Sequence, residues 1–231
     1  MKIAILETGS PPSALEPRFG RYGQMFETLL GRHAFDWTVI DVRSDPLPGR
    51  PEDYDGYLIT GSAAGVYDPD AWIAQTRDFL RQAKGKAAIV GICFGHQLMA
   101  EAFGGEVIKS PKGWGIGLHR YEVVNHRPWM DGAQTIAAPA SHQDQVVVAP
   151  PNTTVLAGSA FTPLGMLAYD DQPAISIQLH PEFDPAYAKA LIEGRRGTRY
   201  GVEEADRALA SYEAPDDRGR LSQWIGSFLK G

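Results

Sequence analysis

The first half of the chain alternates short apolar runs with stretches of helical spacing, and this alternation restricts the possible folds most strongly. Four runs are short enough to be buried strands and are followed by turn residues: KIAILE, FDWTVIDV, GYLIT and AAIVGI. Between them, RYGQMFETLLG and the segment from Trp72 to Ala83 place apolar residues on one helical face. Strands that alternate with helices form a parallel sheet with right-handed crossovers. We therefore predict an α/β fold with a mostly parallel sheet flanked by helices.

The pattern changes after Gly105, where strand-like runs follow one another with only short turns between them. These runs are EVIKS, GIGLHRYEVV, DQVVVA, TTVLAGS, LGMLAYD and AISIQLH. They predict an antiparallel or mixed extension of the sheet. After Pro185, the segments AYAKALIEG and LSQWIGSFLKG are expected to be helices. We predict one domain over 1–231, with a core over about 1–185 and a C-terminal helical extension over about 186–231.

Composition excludes several classes of protein. Of the 231 residues, 43% are hydrophobic and 22% are charged, which is typical of a globular chain rather than a disordered one. The net charge of -6 argues against a general nucleic-acid binder, and we interpret Arg195, Arg196 and Arg199 as a solvated surface turn. No apolar run approaches the length of a membrane span, and Glu7 interrupts the N-terminal run too soon for a signal peptide. A single cysteine excludes an intramolecular disulfide and favours a reducing, cytoplasmic compartment.

That single cysteine, Cys93, lies in the segment GICFGHQ, between the strand-like run AAIV and the helix-like run LMAEAF. Gly-x-Cys-x-Gly at a strand–helix junction is the thiol form of a nucleophile elbow. The turn is tight, so the residues two before and two after the cysteine, Gly91 and Gly95, must be small. Backbone N–H groups and the dipole at a helix N-terminus favour a thiolate. The N–H of Phe94 is expected to point to where a tetrahedral oxyanion would form.

The elbow alone leaves two interpretations of Cys93 open. A free cysteine also behaves as a small apolar residue and often lies in a protein core without any reactive role. The glycines on both sides of the thiol favour the nucleophile. A thiolate nucleophile also needs a general acid or base as its partner. The nucleophile interpretation therefore requires a suitably placed histidine.

His180 is the strongest candidate partner among the six histidines. It ends the run AISIQLH, and the following Pro181 would stop strand pairing. In extended chain, residues i and i+2 point to the same side, so Glu182 can reach the His180 ring. A carboxylate in that place fixes the tautomer and stabilises the imidazolium. Each of the two residues has an ordinary structural explanation by itself, but together with Cys93 they predict a triad.

The remaining histidines have weaker cases. His96 is expected to pack in the elbow turn, and His142, in the polar stretch SHQDQ, is expected to lie in a loop and line a pocket. His33, His119 and His126 show no partner pattern. Because no pair has the spacing of metal ligands, we predict no metal site and no cofactor.

GICFGHQ together with QLHPEF resembles the class I glutamine amidotransferase (triad glutaminase) family, from Lys2 to about Pro185. The resemblance implies a flavodoxin-like class I amidotransferase fold, with Cys93 as nucleophile, His180 as acid and base, and Glu182 as its orienting group. It also implies that Gln97 helps to hold the substrate. The oxyanion hole would combine the N–H of Phe94 with the loop after the third strand, at Gly61 and Ser62.

Within the family, the sequence resembles a stand-alone domain of the GMP-synthetase-glutaminase-like branch. SHQDQV resembles the loop beside the γ-glutamyl pocket there, which makes Ser141, His142 and Gln143 candidate substrate-binding residues. The sequence departs from the usual pattern in two places: Ser62 stands where many members have glycine, and Gln143 where glycine is usual in that loop. A different cysteine-elbow superfamily commonly places its histidine directly after the cysteine, and Phe94 in that position disfavours it.

The resemblance implies a cysteine hydrolase that releases ammonia and glutamate from L-glutamine through a γ-glutamyl thioester on Cys93. Two alternatives remain: a peptidase or hydrolase of γ-glutamyl compounds, and a catalytically silent binding or partner subunit with the same fold. The sequence shows no glycine-rich nucleotide loop, so an ammonia-consuming synthetase would be a separate subunit. We expect a small-molecule substrate and no nucleic-acid or membrane partner.

Overall fold

The computed structural model describes residues 1–231 and is organised around a mixed β-sheet. The strands are β1 (Lys2–Glu7), β2 (Asp36–Asp41), β3 (Gly56–Ile59), β4 (Ala88–Ile92), β5 (Glu106–Lys109), β6 (Gly115–Val123), β7 (Thr135–His142), β8 (Asp144–Val148), β9 (Thr153–Gly158), β10 (Met166–Tyr169) and β11 (Ala174–Ile177). The α-helices are α1 (Glu16–Phe19), α2 (Tyr22–Leu30), α3 (Ala71–Ala83), α4 (Phe94–Ala102), α5 (Pro185–Arg195), α6 (Val202–Ala210) and α7 (Arg218–Lys230). None of these helices has both the length and the apolar character needed to cross a membrane.

Nine strands form the main sheet in the order β2-β1-β3-β4-β11-β10-β9-β6-β7. The five strands from β2 to β11 pair in parallel, and the pairs from β11 to β7 are antiparallel. Strands β5 and β8 form a separate antiparallel pair. The predicted α/β fold, with a parallel first half and an antiparallel or mixed extension, is confirmed.

Burial on both faces explains why the central strands are almost entirely apolar. Alternate residues of β1, β3 and β4 enter two different core clusters, one on each side of the sheet. Helices α2 and α7 pack on one face, and helices α3 and α4 pack on the other. The central strand β4 therefore ends in a fully enclosed position, and Cys93 follows it directly.

The structure corrects the sequence analysis at several elements. Strand β7 was not predicted, and it contains Pro139, which lies opposite Leu118 of β6. Helices α1 and α6 were also missed. Strand β11 ends at Ile177, three residues before the predicted end of this run at His180.

The early end of β11 follows from where its next backbone groups find partners. Gln178 N–H donates to Gly165 O at 2.9 Å, and His180 N–H donates to Pro139 O at 2.8 Å. The chain therefore leaves its parallel partner β4 and turns toward β7. This change of partner brings the segment that starts at His180 over the end of β4.

Helix α7 belongs to the main core, and this leads to a stability prediction. Trp224 is only 2% exposed and packs in the cluster that contains the central strands. Trp224→Ala is expected to lower the free energy of unfolding by about 3–5 kcal/mol, because it leaves a large cavity. Urea denaturation followed by circular dichroism measures this loss.

Val202→Ala is the matched control, because Val202 is 54% exposed at the start of α6. It is expected to change the free energy of unfolding by less than about 0.5 kcal/mol. A loss of similar size in both variants would contradict the placement of α7 in the core.

Candidate active site

Cys93 is held in an unusual backbone conformation at the end of β4. It lies immediately before α4 with φ 52° and ψ -102°, a left-handed region that non-glycine residues rarely adopt. Its N–H donates to Ile177 O at 2.8 Å, and its C=O accepts from Gln97 N–H at 3.0 Å. Strain of this kind persists only where the surroundings enforce it, and it concentrates at functional sites.

The glycines on both sides of Cys93 are required by close backbone contacts. A Cβ atom at Gly91 would lie 2.6 Å from the carbonyl carbon and oxygen of Gly95, and a Cβ atom at Gly95 would collide with Ile59 O. These contacts confirm that both positions of the elbow need a residue without a side chain. They also bring the start of α4 against the end of β3.

His180 and Glu182 form a buried pair beside this elbow. The two atoms His180 Nδ1 and Glu182 Oε1 are 2.6 Å apart, so the ring N–H donates to the carboxylate. The imidazole ring stacks on Phe183, with centroids 3.9 Å apart and planes 7° from parallel. A Cβ atom on Gly61 would lie 2.8 Å from His180 Cε1 and 3.7 Å from Cys93 Cβ. Cys93 and His180 therefore meet beside Gly61, and Glu182 joins them through its contact with His180.

The charges around His180 favour its protonated form. Burial lowers the pKa of this imidazole, but the attraction of a Cys93 thiolate and of the Glu182 carboxylate outweighs burial and raises the pKa to about 10. An imidazolium can therefore persist at neutral pH beside a thiolate. Such a pair supplies both a nucleophile and a proton donor.

The loop after β3 presents backbone donors next to the elbow. The N–H groups of Gly61 and Ser62 donate to no acceptor within the protein. Thr8 Oγ1 donates to Gly61 O at 3.1 Å and to Thr60 O at 2.9 Å, which fixes the loop. Ser62 Oγ accepts from Ala64 N–H at 3.2 Å. The Ser62 side chain, which departs from the family pattern, therefore stabilises the turn in which it lies.

Phe94 begins α4, and its ring is buried against Trp72 with centroids 5.5 Å apart. Gly95 N–H donates to Thr60 O at 3.2 Å, which ties the first turn of α4 to the loop after β3. The two segments predicted to form an oxyanion hole are therefore neighbours. Their role in catalysis remains a prediction.

The four predicted substrate-binding residues line the same cleft as Cys93 and His180. These residues are Gln97, Ser141, His142 and Gln143. Gln97 Nε2 donates to Asp144 O at 2.9 Å and to Gln178 Oε1 at 3.1 Å. Both N–H groups of its side-chain amide therefore donate within the protein. Ser141 and His142 were predicted in a loop, but they end β7 and pair with Ile116 and Gly115 of β6.

His142 is a neutral imidazole. Its Nδ1 lies 3.1 Å from Asp144 O and donates to it, while Nε2 is buried without a hydrogen-bond partner. Burial lowers the pKa of His142 to about 3, and no carboxylate offsets the effect as Glu182 does for His180. His96, packed in the elbow turn as predicted, has its pKa lowered to about 3 by the same cause.

The cleft has a volume of about 320 Å³ and contains side chains that the sequence analysis did not assign to a site. Arg195 and Arg199 both line the cleft. Arg199 is exposed in a turn and Arg195 is half-buried at the end of α5, so the predicted solvated surface turn also borders the cleft. Arg196 pairs instead with Glu193 and Asp206. Helical spacing offered a signal, because Leu191 and Arg195 are four residues apart on α5 and share a face.

The cleft also includes acidic and aromatic groups that were missed: Tyr22, Tyr67, Asp68, Trp114 and Asp144. Tyr67 OH donates to Asp144 Oδ2 at 3.0 Å. Burial raises the pKa of Asp144 above its ordinary value. Nowhere in the structure do three or more His, Cys, Asp or Glu side chains form a group that could hold a metal ion.

The sheet order and the elbow together define a class of α/β proteins that carry a cysteine between the central parallel strand and the helix that follows it. A family model described as "Glutamine amidotransferase class-I" matches residues 26–193. The chain therefore belongs to the class I glutamine amidotransferase family. This membership confirms the enzyme class expected from the sequence, a hydrolase that acts on C–N bonds.

Relatives with assigned names support this membership. The chain is 30% identical over 193 residues to "Gamma-glutamyl peptidase 4" of Arabidopsis thaliana, covering 79% of this chain and 76% of the relative. It is 31% identical over 163 residues to a subunit of the glutamine-hydrolysing GMP synthase of Methanopyrus kandleri, covering 66% and 82%. A crystal structure of a glutamine amidotransferase from Methylobacillus flagellatus shares the fold, with a TM-score of 0.72 and 21% identity over 100% and 92% of the two chains.

The contact between His180 and Glu182 leads to a prediction about titration. Glu182→Gln is expected to lower the pKa of His180 from about 10, because it removes a negative charge that stabilises the imidazolium. In the wild type the ring proton is retained at neutral pH and lost as the pH rises through about 10. NMR of protein with labelled histidine rings measures both midpoints.

Glu203→Gln provides the control, because Glu203 is exposed on α6 and lies outside the cleft. It is expected to leave the His180 titration where it is in the wild type. An unchanged midpoint in Glu182→Gln would contradict the electrostatic role of Glu182.

Proposed function

We propose that this protein hydrolyses γ-glutamyl amide bonds, with L-glutamine as a substrate, through a thioester on Cys93. The observation that carries the proposal is the buried His180–Glu182 pair, 2.6 Å apart, beside a cysteine held at φ 52° in an open cleft. A structural cysteine would need neither the strained backbone nor the adjacent charged pair. Family membership supports the same chemistry.

The first half of the reaction forms the thioester. Cys93 Sγ, as thiolate, attacks the γ-carbonyl carbon of the substrate, and the carbonyl oxygen takes the negative charge. The N–H groups of Phe94 and of Gly61 or Ser62 stabilise that oxyanion. His180 gives its proton to the leaving nitrogen, the C–N bond breaks, and ammonia or an amine departs. Glu182 holds the ring in the tautomer that this transfer needs.

The second half regenerates the enzyme. Neutral His180 takes a proton from a water molecule, and the resulting hydroxide attacks the thioester carbonyl carbon. The same backbone donors stabilise the second oxyanion. When the intermediate collapses, the C–S bond breaks, glutamate leaves, and the thiolate and imidazolium are restored. No group beyond the protein and water is required.

Four polar residues are proposed to hold the glutamyl part of the substrate: Gln97, Ser141, His142 and Gln143. The amide nitrogen of Gln97 is used by Asp144 and Gln178, so only its carbonyl oxygen is available to accept a hydrogen bond from a ligand. Gln143 lies between β7 and β8 at the edge of the cleft. At this departure from the family pattern, Gln143 adds a side chain to the cleft lining where glycine is usual.

The second candidate function is the hydrolysis of γ-glutamyl peptides. The cleft extends past the elbow to Trp114, Arg195 and Arg199, which is more room than ammonia needs. The Arabidopsis thaliana relative is named a γ-glutamyl peptidase. The relative from Methanopyrus kandleri is named as one subunit of GMP synthase, which supports a separate synthetase partner as a further alternative. The free thiol of the only cysteine supports a reducing, cytoplasmic location.

Loss of the thiol provides the test of this function. Cys93→Ala is expected to abolish glutamate release from L-glutamine, since a triad nucleophile contributes about 10⁶ in rate. Glu182→Ala is expected to cost less, about 10⁴, because it removes only the orienting group. Glutamate release is measured on the purified chain, with circular dichroism to verify that each variant is folded.

Arg196→Gln is the control, because Arg196 lies outside the cleft and pairs with surface carboxylates. It is expected to keep wild-type turnover. Full activity in folded Cys93→Ala would refute the mechanism. Activity only after addition of a synthetase would favour a glutaminase that depends on a partner over independent hydrolysis.

A further inference from the structure

Two arginines in the cleft have no carboxylate partner within the protein. Arg195 ends α5 and donates from Nη1 to Ser141 Oγ at 3.1 Å. Arg199 follows in the next turn, with its guanidinium carbon 5.8 Å from the centre of the Trp114 ring. Neither forms a salt bridge, whereas Arg196 between them pairs with two carboxylates. Two unpaired guanidinium groups that face one cleft form a site suited to an anion.

The arginines line the same cleft as His180. The His180 ring stacks on Phe183, and Phe183 contacts Tyr22 with centroids 5.7 Å apart. Phe183, Leu191 and Arg195 line the cleft together with His180. Because His180 protonates the leaving nitrogen in the proposed reaction, the leaving group departs next to His180 and Phe183.

The cleft also contains other charges of both signs. Asp68, Asp144 and Lys109 line it, and Gln97 Nε2 donates to Asp144 O. The glutamyl group has an ammonium and a carboxylate on the same α-carbon. These two charges can pair with the acidic side chains and with the lysine, respectively. The glutamyl α-carboxylate therefore has a cation available without Arg195 or Arg199. Arg195 and Arg199 remain available for a second carboxylate.

We infer that Arg195 and Arg199 form a carboxylate subsite for the leaving group, which makes γ-glutamyl amino acids and peptides with a nearby free carboxylate the preferred substrates. This inference rests on the proposed function, since it uses the side on which His180 releases the amine. Glutamine releases ammonia, which has no carboxylate and gains nothing from the arginines. A guanidinium binds a carboxylate through two parallel hydrogen bonds, so the subsite also orients the leaving nitrogen.

A pair of substrates that differ only in one charge tests the subsite. γ-Glutamylglycine carries the carboxylate, and γ-glutamylglycinamide replaces it with a neutral amide of nearly the same shape. The wild type is expected to favour γ-glutamylglycine by about tenfold or more in kcat/KM, as charged hydrogen bonds commonly contribute. In Arg195→Gln and Arg199→Gln this ratio is expected to fall toward one.

Arg196→Gln is the matched control, because it removes the neighbouring arginine that faces the surface. It is expected to keep the wild-type ratio. Equal kcat/KM for the two substrates in the wild type would overturn the inference. So would an equal loss on both substrates in Arg195→Gln and Arg199→Gln, since that result would assign the arginines to the glutamyl α-carboxylate.

A binding measurement separates this inference from the proposed function. Calorimetry on folded, inactive Cys93→Ala compares the affinities of the same two compounds without any turnover. Tighter binding of γ-glutamylglycine, lost when Arg199→Gln is added, supports the subsite even if the wild type hydrolyses neither compound. Equal affinities in Cys93→Ala would overturn the subsite, and absence of all hydrolysis would refute only the proposed function.

Discussion

The strained backbone at Cys93 is the constraint on which the rest of the site depends. Its φ of 52° is maintained because Cys93 N–H bonds to Ile177 O and Gly95 N–H bonds to Thr60 O. These bonds attach the elbow to the ends of both strands that flank β4. The carboxyl ends of parallel neighbours lie at one edge of the sheet, which is where open α/β sheets form their sites. The loop with Gly61 and the segment with His180 therefore both lie next to Cys93.

Neighbouring charged groups, rather than the degree of burial, distinguish the pKa values of the three buried histidines. His96, His142 and His180 are all almost completely enclosed. Burial without a compensating charge lowers the pKa of the first two to about 3. For His180 the same burial is outweighed by Cys93 and Glu182, and the pKa rises to about 10. One short segment, from His180 to Phe183, supplies the imidazole, its carboxylate and the ring on which it stacks.

The sequence predicted those parts of the site that depend on near neighbours in the chain. The elbow needs small residues two positions from Cys93, and Glu182 reaches His180 because it is two residues away. Strand β7 was missed because Pro139 and its alanines hide the alternation of a strand, and its partner β6 is needed to recognise it. The spacing of Leu191 and Arg195 places both on one face of α5, but which way that face points depends on how α5 packs after the triad, and this packing is not encoded locally.

In the proposed mechanism, strand β7 connects bond breaking with the choice of leaving group. Pro139 O accepts from His180 N–H, and two residues further along Ser141 Oγ accepts from Arg195. Residues i and i+2 of a strand have a fixed separation, so His180, the proposed proton donor, and the proposed carboxylate subsite are held at a constant spacing. In the proposed mechanism, a leaving group bound by Arg195 is thereby positioned against the His180 ring. Contacts of this kind stabilise the reacting geometry and therefore act on kcat as well as on KM.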